Sequence, residues 1–189
     1  MKIIENIART VYQQFGAALL FSIFFMAAYL YIRKIGWLGV AEQWIETFRR
    51  DGQFRKMFCF VFYTMMILLR TLLSRRIWSN PLEKVIGELR IYADGVWYTE
   101  SVENILMFMP FTILLLWTYG DKLYKYKKNR LAGTLGMSFL SAFLFSLFIE
   151  MYQLVFHMGT FQLADLLHNT LGGAFGGVLY YFGQKIKLL

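Results

Sequence analysis

The sequence predicts an all-α protein of the membrane, a polytopic bundle of about five spanning helices with amphipathic segments at its interfaces. Three observations carry that prediction. Of the 189 residues, 58% are hydrophobic and 19% aromatic. Only 17% are charged, against roughly 25% in soluble domains, so polar surface is short for one water-soluble domain of this size. The apolar residues also gather into five long runs separated by charged segments.

The first run, Gln13 to Ile32, has the roughly 20 residues that a helix needs to cross about 30 Å of hydrocarbon. It is longer than the apolar part of a secretory signal and no clear small-residue cleavage pattern follows, so it reads as a retained anchor. Trp37, Leu38, Ala41, Trp44, Ile45 and Phe48 then recur at helical spacing, with Glu42, Glu46 and Arg49 on other faces, and predict an amphipathic helix. The second run is Met57 to Leu73, with Arg70 near its end. Beyond it, Ser79 or Asn80 can cap a further helix, Pro81 suits its first position, and Leu82, Val85, Ile86 and Leu89 form an apolar stripe. Both amphipathic stretches either lie flat at the membrane surface or pack on the bundle. Asp94-Gly95 reads as a turn. The third run is Asn104 to Tyr119, the fourth Leu131 to His157 and the fifth Gln162 to Phe182. The second and third must extend at their ends to span, and the fourth must tilt. All are expected to be helices, because lipid offers no partner to an open backbone group. Cys59, alone in an apolar run, excludes a disulfide framework and reads as a small packing residue.

Charge sets the expected orientation. With the N-terminus outside, the inner segments hold Arg33, Lys34, Arg49, Arg50, Arg55, Lys56, Lys122, Lys125, Lys127, Lys128, Arg130, Lys185 and Lys187. The outer ones hold Lys2, Arg9, Arg70, Arg75, Arg76, Lys84 and Arg90, roughly half as many. The C-terminus is then cytoplasmic. The stretch Lys122 to Arg130 meets anionic headgroups, which accounts for the net charge of +8 without nucleic acid.

This topology collects polar residues at one membrane face. Glu150 stands about 28 Å along its helix from Leu131 at 1.5 Å per residue. Asp165 and Asn169 open the fifth helix from that side, Asn104 opens the third, and Arg70 ends the second. Glu150, Gln153 and His157 share one helix face, as do Asp165 and Asn169. Ionisable groups in hydrocarbon are costly and are kept for a partner or a task. Asn104, Glu150, Gln153, Asp165, Asn169 and Arg70 are therefore the candidate ligand-binding residues. They can equally act as interhelical glue, with Asp165 capping the fifth helix and Arg70 neutralising Glu150 or Asp165. Gly172, Gly173, Gly176 and Gly177 form two overlapping G-x-x-x-G pairs that let another helix approach closely. The expected partner lies within the chain, and a homo-oligomer stays open.

Glu150, His157, Asp165 and His168 match no strong metal signature, so no metal or cofactor is expected. No G-x-S-x-G elbow or phosphate-cradling loop is present, and no catalytic residue is assigned.

The blocks NILMFMPF (Asn104 to Phe111), FIEMYQL (Phe148 to Leu154) and FQLADLLHNTLGG (Phe161 to Gly173) resemble the VanZ-like family of bacterial membrane proteins in order and spacing. The resemblance covers roughly residues 57–184 and places Asn104, Pro110, Phe111, Glu150, Gln153, Asp165, Asn169, Gly172 and Gly173 on the family pattern. Pro110 joins the glycines as a helix-packing position. Arg76 and Asn80 loosely echo an upstream block. The chain departs from the pattern at Thr112, where the family often has Gly, and at 160–164, where it lacks the family's further charges. The resemblance divides the chain into an extra N-terminal helix and basic amphipathic loop (1–56), a four-helix domain (57–184) and a short basic tail (185–189). It implies a multi-pass protein of the bacterial plasma membrane and cell envelope, linked in some members to resistance to the glycopeptide teicoplanin. The implied partners are membrane lipid, a lipid-linked cell-wall precursor or an amphiphilic antibiotic. An enzyme acting on an envelope lipid, or a small transporter, are the alternatives.

Overall fold

The computed structural model describes residues 2–31, 36–73, 77–93, 95–123 and 131–186. Its helices are α1 (Lys2–Leu30), α2 (Gly36–Arg50), α3 (Gly52–Leu68), α4 (Thr99–Leu123), α5 (Leu131–Phe156) and α6 (Leu163–Lys185). A π-helical turn, Leu69–Leu73, continues α3. The strands β1 (Tyr92–Ala93) and β2 (Val96–Trp97) pair antiparallel around the expected turn, where Gly95 has φ 78°. Asp94, Arg33, Lys34, Arg75, Arg76, Lys125, Lys127, Lys128, Arg130 and Lys187 lie outside the described residues, as do the side chains of Lys2, Trp37, Leu38 and Lys122.

All five apolar runs are helical, and the fold is an all-α bundle. Among the described residues, three helices are long and apolar enough to cross a membrane: Ile3–Leu30, Thr99–Gly120 and Leu131–Phe156. α3 lies antiparallel along α4 and matches its height. Gln53 Nε2 donates to the Thr118 carbonyl at one end (2.7 Å), Tyr63 Oη to the Met107 carbonyl midway (2.9 Å), and Arg70 to Glu103 at the other end. Pro110 sits inside α4, where its ring removes one intrahelical bond.

α6 is wedged between α4 and α5, parallel to the first and antiparallel to the second. Its glycines make this possible. A Cβ on Gly172 would fall on the Ile105 carbonyl, and one on Gly176 on the Met109 carbonyl and Thr112. Gly173 and Gly177 face Ala142 and Ser138 of α5 in the same way. Thr112 fills space opposite these glycines, and its hydroxyl lies 3.0 Å from the Gly173 carbonyl. The inner face of α5 is small and polar, with Thr134, Ser138, Ala142 and Ser146 buried at four-residue steps. Its outer face shows Phe139, Leu140, Leu144 and Phe148. That inversion suits lipid, where small residues let helices approach and large apolar ones need no cover.

Aromatic packing completes the core. Phe108, Phe111, Ala142, Ile149 and Ile67 join α3, α4 and α5, with Phe111 stacked on Phe145 at 4.6 Å between centroids. α2 packs on the bundle through Trp44 and Phe48, against Phe54 and Phe58 of α3 and near Met26 and Leu30 of α1.

Three expectations are corrected. α1 starts at Lys2 rather than Gln13, because Asn6, Arg9 and Thr10 interrupt the apolar run without breaking the helix. The stretch from Pro81 to Leu89 is not a helix. Asn80 Oδ1 accepts from the Leu82 amide (3.3 Å) and one turn forms. The chain then extends, because its carbonyls pair with the α5–α6 link and the first turn of α6. Pro81, Val85 and Ile86 accept from the amides of Phe161, Leu163 and Ala164 at 2.8–3.0 Å. Gly87, at φ 70°, stands where a Cβ would meet Gln162 and Ala164. Cys59 is exposed rather than buried, because α3 turns that face away from its neighbours.

Candidate functional site

One end of the bundle holds the starts of α1, α4 and α6 and the finishes of α3 and α5. Arg70 and Thr71 lie in the π-helical turn, a geometry that is rare and concentrated at functional sites. Arg70 Nη1 donates to Thr10 Oγ1 of α1 at 2.8 Å, and Nη2 donates to Glu103 Oε2 of α4. Asn6 Nδ2 of α1 donates to the other carboxylate oxygen of Glu103 at 2.9 Å. Arg70 is therefore neutralised by Glu103, not by Glu150 or Asp165. Glu103 is 8% exposed and Arg70 28%, so the pair is buried on one side and wet on the other.

The remaining predicted residues fan out from this pair. Asn104, next to Glu103, donates from Nδ2 to Asp165 Oδ1 at 2.8 Å. Gln153 Nε2 donates to the Thr71 carbonyl at 2.8 Å. Glu150 Oε2 accepts from the Gln162 amide at 2.8 Å. Gln162 is the N-cap of α6, so the Glu150 carboxylate faces the positive end of that helix. Asn169 Nδ2 donates to Ser146 Oγ at 2.9 Å, while its Oδ1 is buried without a protein partner. Asn104 and Asp165 thus meet directly, Arg70 joins them through Glu103, and Gln153 joins through Thr71. Glu150 and Asn169 bind elsewhere on the same end.

The segment before β1 straps this end. The Trp78 amide donates to the His157 carbonyl at 2.8 Å, with His157 at φ 55°. His168 is buried, with Nε2 3.3 Å from the Leu89 carbonyl. Outside the membrane-spanning helices, the hydrogen bond from Arg90 pulls the Glu88 carboxyl down to about 2 and raises the Arg90 guanidinium.

Three spaces open here. A polar cavity of about 330 Å³ is lined by Asn6, Thr10, Gln13, Gln14, Arg70, Thr71, Thr99, Glu100, Glu103 and Asn104. A second polar cavity of about 190 Å³ holds Asp165 with Glu88, Tyr98, Thr99, Glu100, Ser101 and Gln162. An apolar trough of about 90 Å³ runs between α1, α3 and α4 along Ile7, Val11, Tyr63, Met66, Ile67, Leu106 and Met107, ending at Thr10, Arg70 and Glu103. Glu150, Gln153 and Asn169 are buried at 1%, 2% and 4% exposure.

Asn6, Thr10, Thr71 and Glu103 escape the sequence reading. The first two sit in what reads as a polar lead-in, although Ile3, Ile7 and Val11 already recur at helical spacing. Glu103 stands one residue before the third run and is the counter-ion that Arg70 requires.

The sequence profile of the family described as VanZ/LLP1 matches residues 3–184, which includes α1. Protein VanZ of Enterococcus faecium is 28% identical over 92 residues, 47% of this chain and 48% of that protein. The chain thus aligns with about half the length of that relative. No solved structure matches. A match over nearly all of its length, together with three helices apolar enough to span a bilayer, makes this a membrane protein that belongs to the VanZ/LLP1 family.

Proposed function

We propose that this protein binds an amphiphilic or lipid-linked ligand at the polar end of its bundle and so contributes to resistance against glycopeptides of the teicoplanin type at the cell envelope. One observation carries the reading. An apolar bundle keeps Arg70, Glu103, Asn104 and Asp165 hydrogen-bonded around two polar cavities at a single end. Small-molecule sites usually join apolar walls to a few convergent polar groups, and here Thr10, Arg70 and Glu103 line both the larger polar cavity and the apolar trough. Arg70, Asn104 and Asp165 line the spaces; Glu150, Gln153 and Asn169 hold their walls in register.

The polar end faces outward in this proposal, with the N-terminus outside and the C-terminus in the cytoplasm of a plasma-membrane protein. The Lys and Arg residues favour it. A cysteine placed at Thr160, in a chain with Cys59 replaced, should react with an impermeant thiol reagent on intact cells. Reaction only after lysis reverses the orientation.

The functional test is Asp165→Asn and Arg70→Gln, with membrane abundance and glycopeptide susceptibility measured together. Normal abundance with lost resistance supports the site. Loss of the protein from the membrane supports the interhelical-glue reading instead.

A further inference from the structure

We infer that the segment before α4, residues 77–97, is a membrane-interface element, tied to the bundle by its backbone and laid into the headgroup–acyl boundary of the phospholipid bilayer by its side chains. Such an element needs neither the proposed ligand nor a particular orientation of the chain.

Backbone and side chains of this segment go to different places. The carbonyls of Pro81, Val85 and Ile86 are taken by the α5–α6 link and the first turn of α6, with Pro81 buried and Val85 and Gly87 half-buried. The larger apolar side chains stay outside. Ile77, Leu82, Ile86 and Leu89 are 50–83% exposed, and Val96 and Trp97 of β2 are 64% and 57% exposed. Single exposed apolar residues are ordinary on any surface, but a run of them along one short segment marks a binding surface. Trp78, Tyr92 and Trp97 are the residue types that collect at membrane–water boundaries. Lipid is the occupant because the surface continues onto the bundle. Val155 and Phe156 close α5 and Leu163 opens α6 with their side chains outward, so the segment prolongs an apolar flank of the helices it is bonded to.

Height and chemistry fit the boundary. Ser101 Oγ, in the first turn of α4, donates to the Arg90 carbonyl at 3.0 Å. His168 Nε2, from the second turn of α6, lies 3.3 Å from the Leu89 carbonyl. The segment therefore runs beside the first turns of α4 and α6 rather than above them. α4 has 25 residues, about 37 Å at 1.5 Å per residue, and the hydrocarbon takes about 30 Å of that length. With the excess shared between its ends, the first turn stands about 4 Å beyond the acyl chains, within reach of an Ile or Trp side chain. Non-helical backbone is tolerated at that level, where headgroups and water supply polar partners that the hydrocarbon core lacks. Charge is paired there as well. Glu88 accepts from Arg90 Nε and Nη2 at 2.8 and 2.9 Å, and the Trp78 indole N–H donates to Glu83 at 3.0 Å. Lys84 is exposed, and a lysine stem can lie along acyl chains with its ammonium among the headgroups.

The test uses the full chain carrying Cys59→Ser in phosphatidylcholine liposomes, with a nitroxide on one introduced cysteine at a time: Leu82→Cys, Ile86→Cys or Val96→Cys. All three positions are exposed, so the label displaces no packed core. Collision rates are measured with oxygen, which concentrates in hydrocarbon, and with a nickel chelate, which stays in water. Leu144→Cys, outward and midway along α5, sets the deep limit. The three sites are expected to favour oxygen over nickel at a depth of about 5–10 Å, shallower than Leu144. Nickel favoured at two or more of them puts the segment in water and overturns the inference. A depth equal to that of Leu144 overturns it too. So does shielding from both reagents, which would mean that a protein partner or a second copy covers this face.

Discussion

Adding one methyl group at Gly172 tests the packing that holds the polar end together. The Cβ of Gly172→Ala would land on the Ile105 carbonyl, part of the α4 backbone, which cannot swing aside as a side chain can. Relief requires α4 and α6 to part. Carbon pairs that open by 0.5–1 Å lose a quarter to a half of their dispersion energy. This interface carries the Asn104–Asp165 bond and the glycine contacts, so overpacking there costs about 3 kcal/mol. Ala is the better helix former by about 1 kcal/mol, which leaves a net loss of about 2 kcal/mol. Gly136→Ala is the internal control, because a Cβ there meets nothing within 4 Å and only the helix gain of up to about 1 kcal/mol remains. Unfolding by titrated denaturing detergent in maltoside micelles, followed by tryptophan fluorescence, reads both. The reasoning is refuted if Gly172→Ala is as stable as the parent or if the two variants respond alike.

Two further outcomes follow from charge. Glu103→Gln leaves the Arg70 guanidinium without its counter-ion; breaking a buried pair costs 3–5 kcal/mol, and partial exposure of Arg70 lowers this to about 2 kcal/mol. Adding Arg70→Gln should restore part of it, and strictly additive losses in the same titration would show that the pair is not coupled. Glu88, held by Arg90, should titrate at about 2 rather than at the ordinary 4.5; a lowered folded value means that its small contribution to stability is complete above pH 4.5 and lost as pH falls through 2. A carbon-13 titration of the Glu88 carboxyl checks this, and an ordinary midpoint that is unchanged in Arg90→Gln refutes it.

The helices were legible because lipid allows few alternatives. A long apolar run must close its own backbone bonds, so α5 and α6 begin within a residue of where the sequence places them. The stretch after Pro81 was not legible, although it carries a helix-like stripe. Its carbonyls have better partners in the α5–α6 link and the first turn of α6, and long-range pairing leaves no periodic trace in a local window. The start of α1 failed for the converse reason. Polar residues there look like solvent-exposed lead-in, but Asn6 and Thr10 bind Glu103 and Arg70 across the bundle. Lining a polar cavity and facing bulk water call for the same composition.

The polar residues divide by what they bind. Gln153 and Glu150 bind backbone groups, the Thr71 carbonyl and the Gln162 amide. Those groups sit at a π-helical turn and a helix start, where the backbone lacks its regular partners. A side chain used in this way fixes the wall and has little left to offer a ligand. Arg70 and Glu103 are used differently, on each other and on side chains of α1, at the junction of a polar and an apolar space. Side-chain pairs exchange partners at lower cost than backbone groups do, because neither member is needed to close a helix. Within the function proposed here, the glue role falls to Gln153 and Glu150 and the ligand role to Arg70 and Glu103. α1, which supplies Asn6, Thr10, Ile7 and Val11, belongs to the second.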